Sequence, residues 1–464
     1  KLIFDVSDKP KAGQLVVFAL QQMLAILAAT IAVPLIIGNG LTPAAAMFGA
    51  GVGTIVYILF TKRKSPVFLG SSFAFLGSMA AAFAGGVSMQ LGMLGLIVGA
   101  FLAGLVYVVI AIVVKFVGVG WLNKLMPAVV IGPTVAIIGL SLAGNAVGDL
   151  VKGDVTKQVT EYAVSTDSGT PEIIETVSNV PVGSSYVALI CGLITLAVVM
   201  LCSTYGKKTL RLIPFIIGIL AGYAAAAIFT VIGNICDIDA LKIVDFSIFS
   251  SYMLTDGSVS LKTFVSLPDF AFVSGLEGLK EFDFTYFATI FVAYVPVALV
   301  VFAEHVADHK NLSSIIDHDL LEEPGLTRTL LGDGVGSIAG ALFGGCPNTT
   351  YGESVACVAI TGNASVVTIF AAAIGCMLFS FITPLVAFVD SIPACVMGGV
   401  CIALYGFIAV SGLKMIQDAN LDDNRNLFVV SVILIAGIGG LTLTFGDITP
   451  VSYTHLRAHE TRGN

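Results

Sequence analysis

Apolar stretches long enough to cross a lipid bilayer recur along most of this chain. We predict spans at 14–37, 43–61, 89–116, 122–145, 184–203, 211–233, 285–306, 364–389, 392–413 and 426–445. A helix needs about 20 apolar residues to span the hydrocarbon core. The 464 residues are 57% hydrophobic and only 11% charged, whereas soluble domains carry about 25% charged residues. The sequence therefore predicts an all-α polytopic membrane protein.

Two shorter apolar segments are interrupted. Ser71–Ala84 follows the extended-looking Pro66–Gly70, and Glu353–Thr361 follows Pro347–Tyr351. Because proline and glycine resist helix formation, we interpret each pair as a short strand that enters a half-helix. A Gly-rich segment at 326–344 is a weaker candidate span.

A second pair of motifs supports an internal repeat. Pro127-Ala-Val-Val-Ile-Gly132 and Pro393-Ala-Cys-Val-Met-Gly398 each open an apolar span, and their separation is close to that of the two interrupted segments. Interrupted segments in corresponding places of two halves point to the binding site of a transporter. The alternative is chance recurrence of Pro-Ala-x-x-x-Gly in apolar sequence.

Positive charges of the short loops fall on one side when the chain is threaded with its N-terminus inside. The positive-inside rule then predicts a multi-pass protein of the inner (cytoplasmic) membrane with a cytoplasmic N-terminus. The acidic and hydroxyl-rich insertions 146–183 and 234–283 fall outside and are predicted to be surface loops. The charges are Lys62-Arg63-Lys64, Lys115 with Lys124, Lys207-Lys208 with Arg211, Lys310 with Arg328, and Lys414 with Arg425.

Glu304 departs most from the apolar pattern. It follows the apolar run Phe287–Ala303 directly, and an ionisable group at membrane depth costs roughly 2.5–3.5 kcal/mol on insertion scales. On a helix, Glu304 and Asp308 share a face, and carboxylates beside imidazoles can exchange protons near neutral pH. The alternative is a solvated helix end, which suits His309 and Lys310 better than Glu304.

The two half-helix entries offer further polar groups. Glu353 opens the second half-helix, where the dipole favours a carboxylate and free N–H groups can bind a polar ligand. Helix capping is the alternative for Glu353. Ser71, Ser72 and Phe73 open the first, with packing as their alternative. Together these elements are expected to enclose a site for a planar ligand that carries N–H and C=O groups.

Several other classes are disfavoured. The eight cysteines show no metal or redox spacing, and the His/Asp group near Glu304 lacks a second cluster of metal ligands. No nucleophile–base set is found at membrane depth, so the sequence does not predict an enzyme, a metal site or a cofactor. With a net charge of −8 and no basic patch, nucleic acid is not an expected partner. A channel or sensor gated by the same planar ligand stays open, whereas two glutamates disfavour an anion transporter.

Several stretches resemble the nucleobase–ascorbate transporter family. They are Pro66–Phe75, Val297–His305, Pro324–Leu326 and, most specifically, Pro347–Glu353 with the sequence Pro-Asn-Thr-Thr-Tyr-Gly-Glu. The resemblance covers residues from about 8 to 450. It implies two inverted seven-segment repeats and a proton-coupled importer of uracil, with xanthine or another purine as the alternative substrate.

The resemblance also implies an organisation and residue roles. A core domain would comprise 1–118 and 284–390, and a gate domain 119–233 and 391–450. The coupling ion would be a proton, and membrane lipid and a second copy in a homodimer would be the other partners. The family pattern assigns substrate binding to Glu304, Glu353, Phe73, Gly352 and Ala29, and proton coupling to Glu304, Asp308 and His309.

The chain departs from the family pattern in two places. Uracil permeases often carry histidine four residues after the first glutamate, where this chain has Asp308, and that Glu/Asp spacing is similar to the purine-transporting branch. The family usually has asparagine and glycine where Ser354 and Ala356 stand. Purine-type members usually have Gln-Asn in place of Glu353-Ser354, which favours uracil.

The last residues break the apolar pattern. Residues 451–464 are polar and carry His455, Arg457, His459, Glu460 and Arg462. A final span is expected near this point if the second half mirrors the first. We therefore predict that 451–464 is a non-native tail and that the last segment is missing.

Overall fold

Most of the chain folds into membrane-length helices. The computed structural model describes residues 2–118, 120–121, 127–165, 172–207, 209–253, 258–417 and 419–439. Within these ranges, eight helices are long and apolar enough to cross a membrane. The predicted all-α polytopic class is therefore confirmed. The predicted tail at 451–464 and the segment expected before it lie outside the described residues.

The helices and strands are numbered in chain order. The helices are α1 (Ala12–Ile37), α2 (Pro43–Phe60), α3 (Leu76–Ala82), α4 (Met89–Val117), α5 (Ala128–Ser141), α6 (Ala143–Asp149), α7 (Ser185–Tyr205), α8 (Thr209–Leu212), α9 (Pro214–Cys236), α10 (Ser247–Met253), α11 (Ala271–Glu277), α12 (Phe284–Ile316), α13 (Leu326–Gly344), α14 (Gly352–Thr361), α15 (Val366–Phe379), α16 (Thr383–Asp390), α17 (Ala394–Ile416) and α18 (Asn424–Ile438). The strands are β1 (Leu69–Ser71), β2 (Thr156–Ser165), β3 (Glu172–Pro181) and β4 (Asn348–Thr350).

The two interrupted segments form the predicted strands and half-helices. Strand β1 leads through a short 3₁₀ turn into α3, and β4 leads into α14. The two strands pair antiparallel, with Leu69 opposite Thr350 and Ser71 opposite Asn348. Equivalent strands of two halves meet in opposite directions, as an inverted repeat requires. Their pairing brings both half-helix entries to one place in the interior.

The long helices pack in two groups. In one group, α2 packs against α13 and α15, and α4 packs against α12 and α13. In the other, α17 packs against α5 and α7, α9 against α7, and α18 against α5. Contacts between the groups are made by α12 with α5 and by α1 with α9 and α17. The core domain at 1–118 and 284–390 and the gate domain at 119–233 and 391–450 stay a prediction.

One predicted span is wrong in its extent. The range 364–389 forms two helices, α15 and α16, with a break between them. At the break, the Thr383 N–H donates to the Phe264 carbonyl at 3.0 Å, and the Thr383 hydroxyl donates to the Lys262 carbonyl at 2.9 Å. Pro384 stands in the first turn of α16, where it suits a helix start. Backbone acceptors of the insertion 234–283 therefore bind the first residue of α16, directly after the break.

Glycines allow α2 and α13 to approach closely. A Cβ built on Gly340 would lie 2.1 Å from Asn348 Nδ2, and one on Gly49 would lie 2.4 Å from the Gly340 carbonyl oxygen. The Asn348 side-chain amide in turn donates to the Gly49 carbonyl at 3.1 Å. Small residues at such positions let membrane helices pack backbone to backbone. This contact holds β4, and with it the entry to α14, against α2.

We expect Gly340→Ala to destabilise this contact. Overpacking of this kind costs typically about 1–3 kcal/mol of the free energy of unfolding, so the thermal midpoint of the purified protein should fall. The matched control is Gly406→Ala in α17, where an added Cβ has no atom within 4 Å. Equal midpoints for the two variants would contradict the close approach at Gly340.

Candidate substrate-binding site

A cavity of about 1040 Å³ lies where the two half-helix entries face α12 and the second helix group. Glu304 and Asp308 line it from α12, and Gly352 and Glu353 line it from the start of α14. Phe73 lines it from the entry to α3. The structure thus brings together four of the five predicted substrate-binding residues. Their role in binding stays a prediction.

The cavity reaches the surface at one end of the molecule. Its lining there includes the exposed side chains of Arg211, Lys310 and Lys414. All three lie in helices and belong to the set of positive charges that the positive-inside rule predicts to be cytoplasmic. The far wall is formed by apolar side chains of the second helix group, including Ile131, Val135, Phe407, Ile408 and Met415.

Asp308 links α12 to the second half-helix entry. Its Oδ2 atom accepts a hydrogen bond from the Thr350 hydroxyl at 2.8 Å. A Cβ built on Gly352 would lie 3.8 Å from Asp308 Oδ1, so the start of α14 passes directly beside this carboxylate. One turn earlier on α12, Glu304 lines the same cavity, which confirms that both carboxylates share one helix face. The site therefore combines three carboxylates on two facing elements.

Aromatic side chains close the inner end of the site. The Phe73 ring lies 5.5 Å from the Tyr405 ring of α17 in an edge-to-face arrangement. Tyr351 also lines the cavity, and its hydroxyl donates to the Ser71 carbonyl at 2.8 Å. That bond joins the two half-helix entries. We did not single out Tyr351 from the sequence, although it stands within the motif before Glu353.

The structure places the other two predicted site residues away from the cavity wall. Ala29 is only 1% exposed, and α1 lines the cavity through Ala25, one turn earlier. His309 is fully buried on the neighbouring face of α12. Its stacked partner His305 lies with its ring centroid 4.0 Å away.

The two histidines belong to a buried polar cluster behind the carboxylates. His309 Nδ1 donates to the His305 carbonyl at 2.7 Å, so neutral His309 accepts at Nε2 from the Tyr57 hydroxyl at 2.6 Å. Tyr57 in turn bonds Ser65 at 2.7 Å. His305 Nδ1 bonds Asp333 Oδ2 at 2.6 Å. This cluster joins α2, α12 and α13, and neither Tyr57 nor Asp333 was marked by a local sequence motif.

The site offers carboxylate acceptors and helix N-terminal donors rather than a metal-binding set. Throughout the described ranges, no group of three or more His, Cys, Asp or Glu side chains is arranged to hold a metal ion. A carboxylate accepts strongly from ligand N–H groups. The free N–H groups of the first turn of α14 can donate to ligand carbonyls. The fold and the site together define a membrane transporter.

Comparison with known proteins identifies the family. Residues 13–182 and 170–445 match the model of a group described as the Permease family. The uracil permease of Bacillus caldolyticus is 36% identical over 451 residues, covering 96% of this chain and 90% of the relative. The uracil permease of Escherichia coli K12 is 33% identical over 443 residues, covering 95% and 88%. The chain belongs to the nucleobase–ascorbate transporter family.

Solved structures show the same fold in distant proteins. The transmembrane domain of the cyanobacterial bicarbonate transporter BicA aligns with a TM-score of 0.63 at 13% identity, covering 94% of this chain and 98% of that domain. SLC26A9 aligns with a TM-score of 0.57 at 13% identity, covering 97% and 64%. These likenesses show the fold alone, which is the predicted pair of inverted seven-segment repeats.

Proposed function

We propose that this protein imports uracil together with protons across the cytoplasmic membrane. The observation that carries the proposal is the convergence of Glu304 and Glu353 on one cavity. Uracil presents ring N–H groups and carbonyls on one planar ring. Carboxylates accept from the ring N–H groups, and amides at the start of α14 donate to a carbonyl. The uracil permeases among the relatives support the choice of substrate.

Alternating access follows from the two helix groups. We take the group of α1–α4 and α12–α16 as the core domain that carries the substrate. The group of α5, α7, α9, α17 and α18 is then the gate domain. Rocking of one against the other would expose the cavity to each side in turn. In the present structure the cavity reaches Arg211, Lys310 and Lys414, which the proposed cytoplasmic N-terminus places on the inner side.

Proton coupling is assigned to the carboxylates of α12. Glu304 and Asp308 both line the cavity and lie one turn apart. Proton binding and substrate binding can therefore influence each other through direct charge interaction. His309 adjoins Asp308 in the sequence and lies in the buried cluster, where it contacts the Tyr57 hydroxyl. No cofactor takes part in this proposal, and the homodimer that is common in the family stays a prediction.

A purine such as xanthine is the second candidate substrate. It is favoured by one observation: Asp308, the residue that resembles the purine-transporting branch, lines the cavity itself. A purine has a second fused ring and needs more room than uracil. Competition by unlabelled xanthine against labelled uracil separates the two candidates.

Uptake by cells or proteoliposomes tests the proposed function. A panel of labelled uracil, thymine, xanthine and uric acid at two pH values should show concentrative uptake of uracil that is faster at the lower outside pH. A proton uncoupler should end accumulation while leaving uracil binding intact. Accumulation of xanthine alone would establish the purine alternative. Equilibration without accumulation would indicate a channel and would contradict symport.

A further inference from the structure

Ser354 and Gln22 form a buried polar pair that the proposed transport mechanism does not use. Ser354 is 0% exposed in the first turn of α14, and Gln22 is 3% exposed on α1. The Gln22 side-chain amide donates to the Ser354 hydroxyl oxygen. The backbone N–H of Phe68 donates to the same oxygen at 3.1 Å. One hydroxyl thus joins three separate segments: α1, the residue before β1, and α14.

The backbone around Ser354 explains why a hydroxyl is needed there. The Phe68 carbonyl accepts from the Tyr351 N–H at 3.2 Å, which continues the pairing of β1 with β4 by one residue. The Tyr351 carbonyl turns into α14 instead of completing that pair and accepts from the Val355 N–H at 3.2 Å. The buried Phe68 N–H therefore donates to the Ser354 hydroxyl oxygen. The hydroxyl extends the strand pairing into the first helical turn.

The position of Ser354 fixes the direction of its neighbour. Successive helical residues point about 100° apart around the axis. A hydroxyl held by α1 and Phe68 on one side therefore sets the rotation of the first turn, and Glu353 lines the cavity from that turn. Apolar packing alone is less directional, since hydrogen bonds weaken steeply with angle.

We propose that Ser354, held by Gln22, is a positioning residue that orients Glu353 for substrate. The inference rests on the proposed uracil site, because Glu353 is the group on which it acts. Ser354 itself faces away from the cavity lining and does not touch substrate. Both residues are predicted to influence affinity through the geometry of α14.

Equilibrium binding of uracil to the purified full-length protein tests this role. Without the hydroxyl, Gln22 and Phe68 no longer fix the first turn of α14 and Glu353 is less well oriented, so Ser354→Ala should weaken the uracil Kd about tenfold, which corresponds to about one hydrogen bond. Gln22→Met, which keeps the length of the side chain, should weaken it by less. The double variant should be no worse than Ser354→Ala alone, since non-additivity marks a shared interaction.

The matched control is Ser380→Ala. Ser380 is also buried, directly after α15, but its hydroxyl donates locally, to the Met377 carbonyl at 2.6 Å. Its variant should bind uracil like the wild type. Equal losses in Ser380→Ala and Ser354→Ala, or a wild-type Kd in Ser354→Ala, would overturn the proposal. If Ser354→Ala does not yield folded protein, Gln22→Met decides alone, and an unchanged Kd overturns it.

Hydrogen exchange without ligand separates this inference from the proposed function. Ser354→Ala should speed amide exchange in residues 348–356, whereas Ser380→Ala should not. A wild-type protein that fails to bind uracil would overturn the proposed function, and the exchange comparison would still report on Ser354. Unchanged exchange in residues 348–356 would overturn the positioning role even if uracil binds.

Discussion

Replacing Glu304 or Glu353 with alanine should abolish uracil uptake while leaving the protein in the membrane. Each change removes a carboxylate that lines the cavity. Hydrogen bonds to a charged group contribute about 1.5–3 kcal/mol each, so uracil affinity should fall by at least about tenfold for each bond lost. Without the acceptor, ring N–H groups buried in the site would have no partner, which adds a desolvation penalty.

Glutamine variants separate the effect of the glutamate charge on uracil binding from the effect of the side-chain shape. Glu304→Gln and Glu353→Gln keep an acceptor oxygen and similar volume but remove the negative charge. Each should bind uracil more weakly than the wild type and better than its alanine counterpart, as measured by labelled-uracil binding to purified protein. Glu322→Ala is the matched control, because Glu322 is exposed in the loop between α12 and α13. Undiminished uptake by Glu304→Ala or Glu353→Ala would refute the site.

The local features of the fold could be predicted from the sequence because hydrophobic length determines membrane insertion. The Gly-rich segment at 326–344 was a weak candidate by hydropathy, yet it forms α13 over the same residues. Its stability comes from packing against α2, as the close approach of Gly340 and Gly49 shows. The strands β1 and β4 could also be predicted, since Pro66 and Pro347 mark where a helix cannot run.

Features that depend on distant contacts could not be predicted. After the break between α15 and α16, the start of α16 is bound by acceptors on Lys262 and Phe264, which no periodicity in the span itself indicates. The family pattern assigns His309 to proton coupling, and that role stays a prediction. Its contact with Tyr57, on an element far away in the chain, has no signal in the local sequence.

The carboxylate of Glu304 could be predicted from the sequence for a different reason. Glu304 follows an uninterrupted apolar run, so its cost of insertion is visible in the sequence alone. Ser354 carries no such cost and gave no signal beyond its departure from a family pattern. Its importance becomes apparent only when Gln22 and Phe68 are found on the same oxygen.

Asp308→Asn should separate uracil binding from proton-driven accumulation. The asparagine side-chain oxygen can still accept from the Thr350 hydroxyl, so the link between α12 and β4 is preserved. The amide cannot bind and release a proton, however, so the residue no longer titrates. We expect uracil to bind and to exchange across the membrane, but only until its concentrations inside and outside are equal. Counterflow and net accumulation in proteoliposomes measure the two properties separately.

Two further variants make this test specific to proton exchange. Thr350→Val removes the hydrogen bond to Asp308 but leaves the carboxylate able to titrate, so accumulation should continue. Asp308→His supplies a different titratable group at the position where uracil permeases often carry histidine, and it should restore accumulation that Asp308→Asn lacks. If Asp308→Asn still accumulates uracil and an uncoupler still ends it, the coupled proton resides elsewhere. Glu304, one turn earlier on the same face, is then the remaining carboxylate of α12 that lines the cavity.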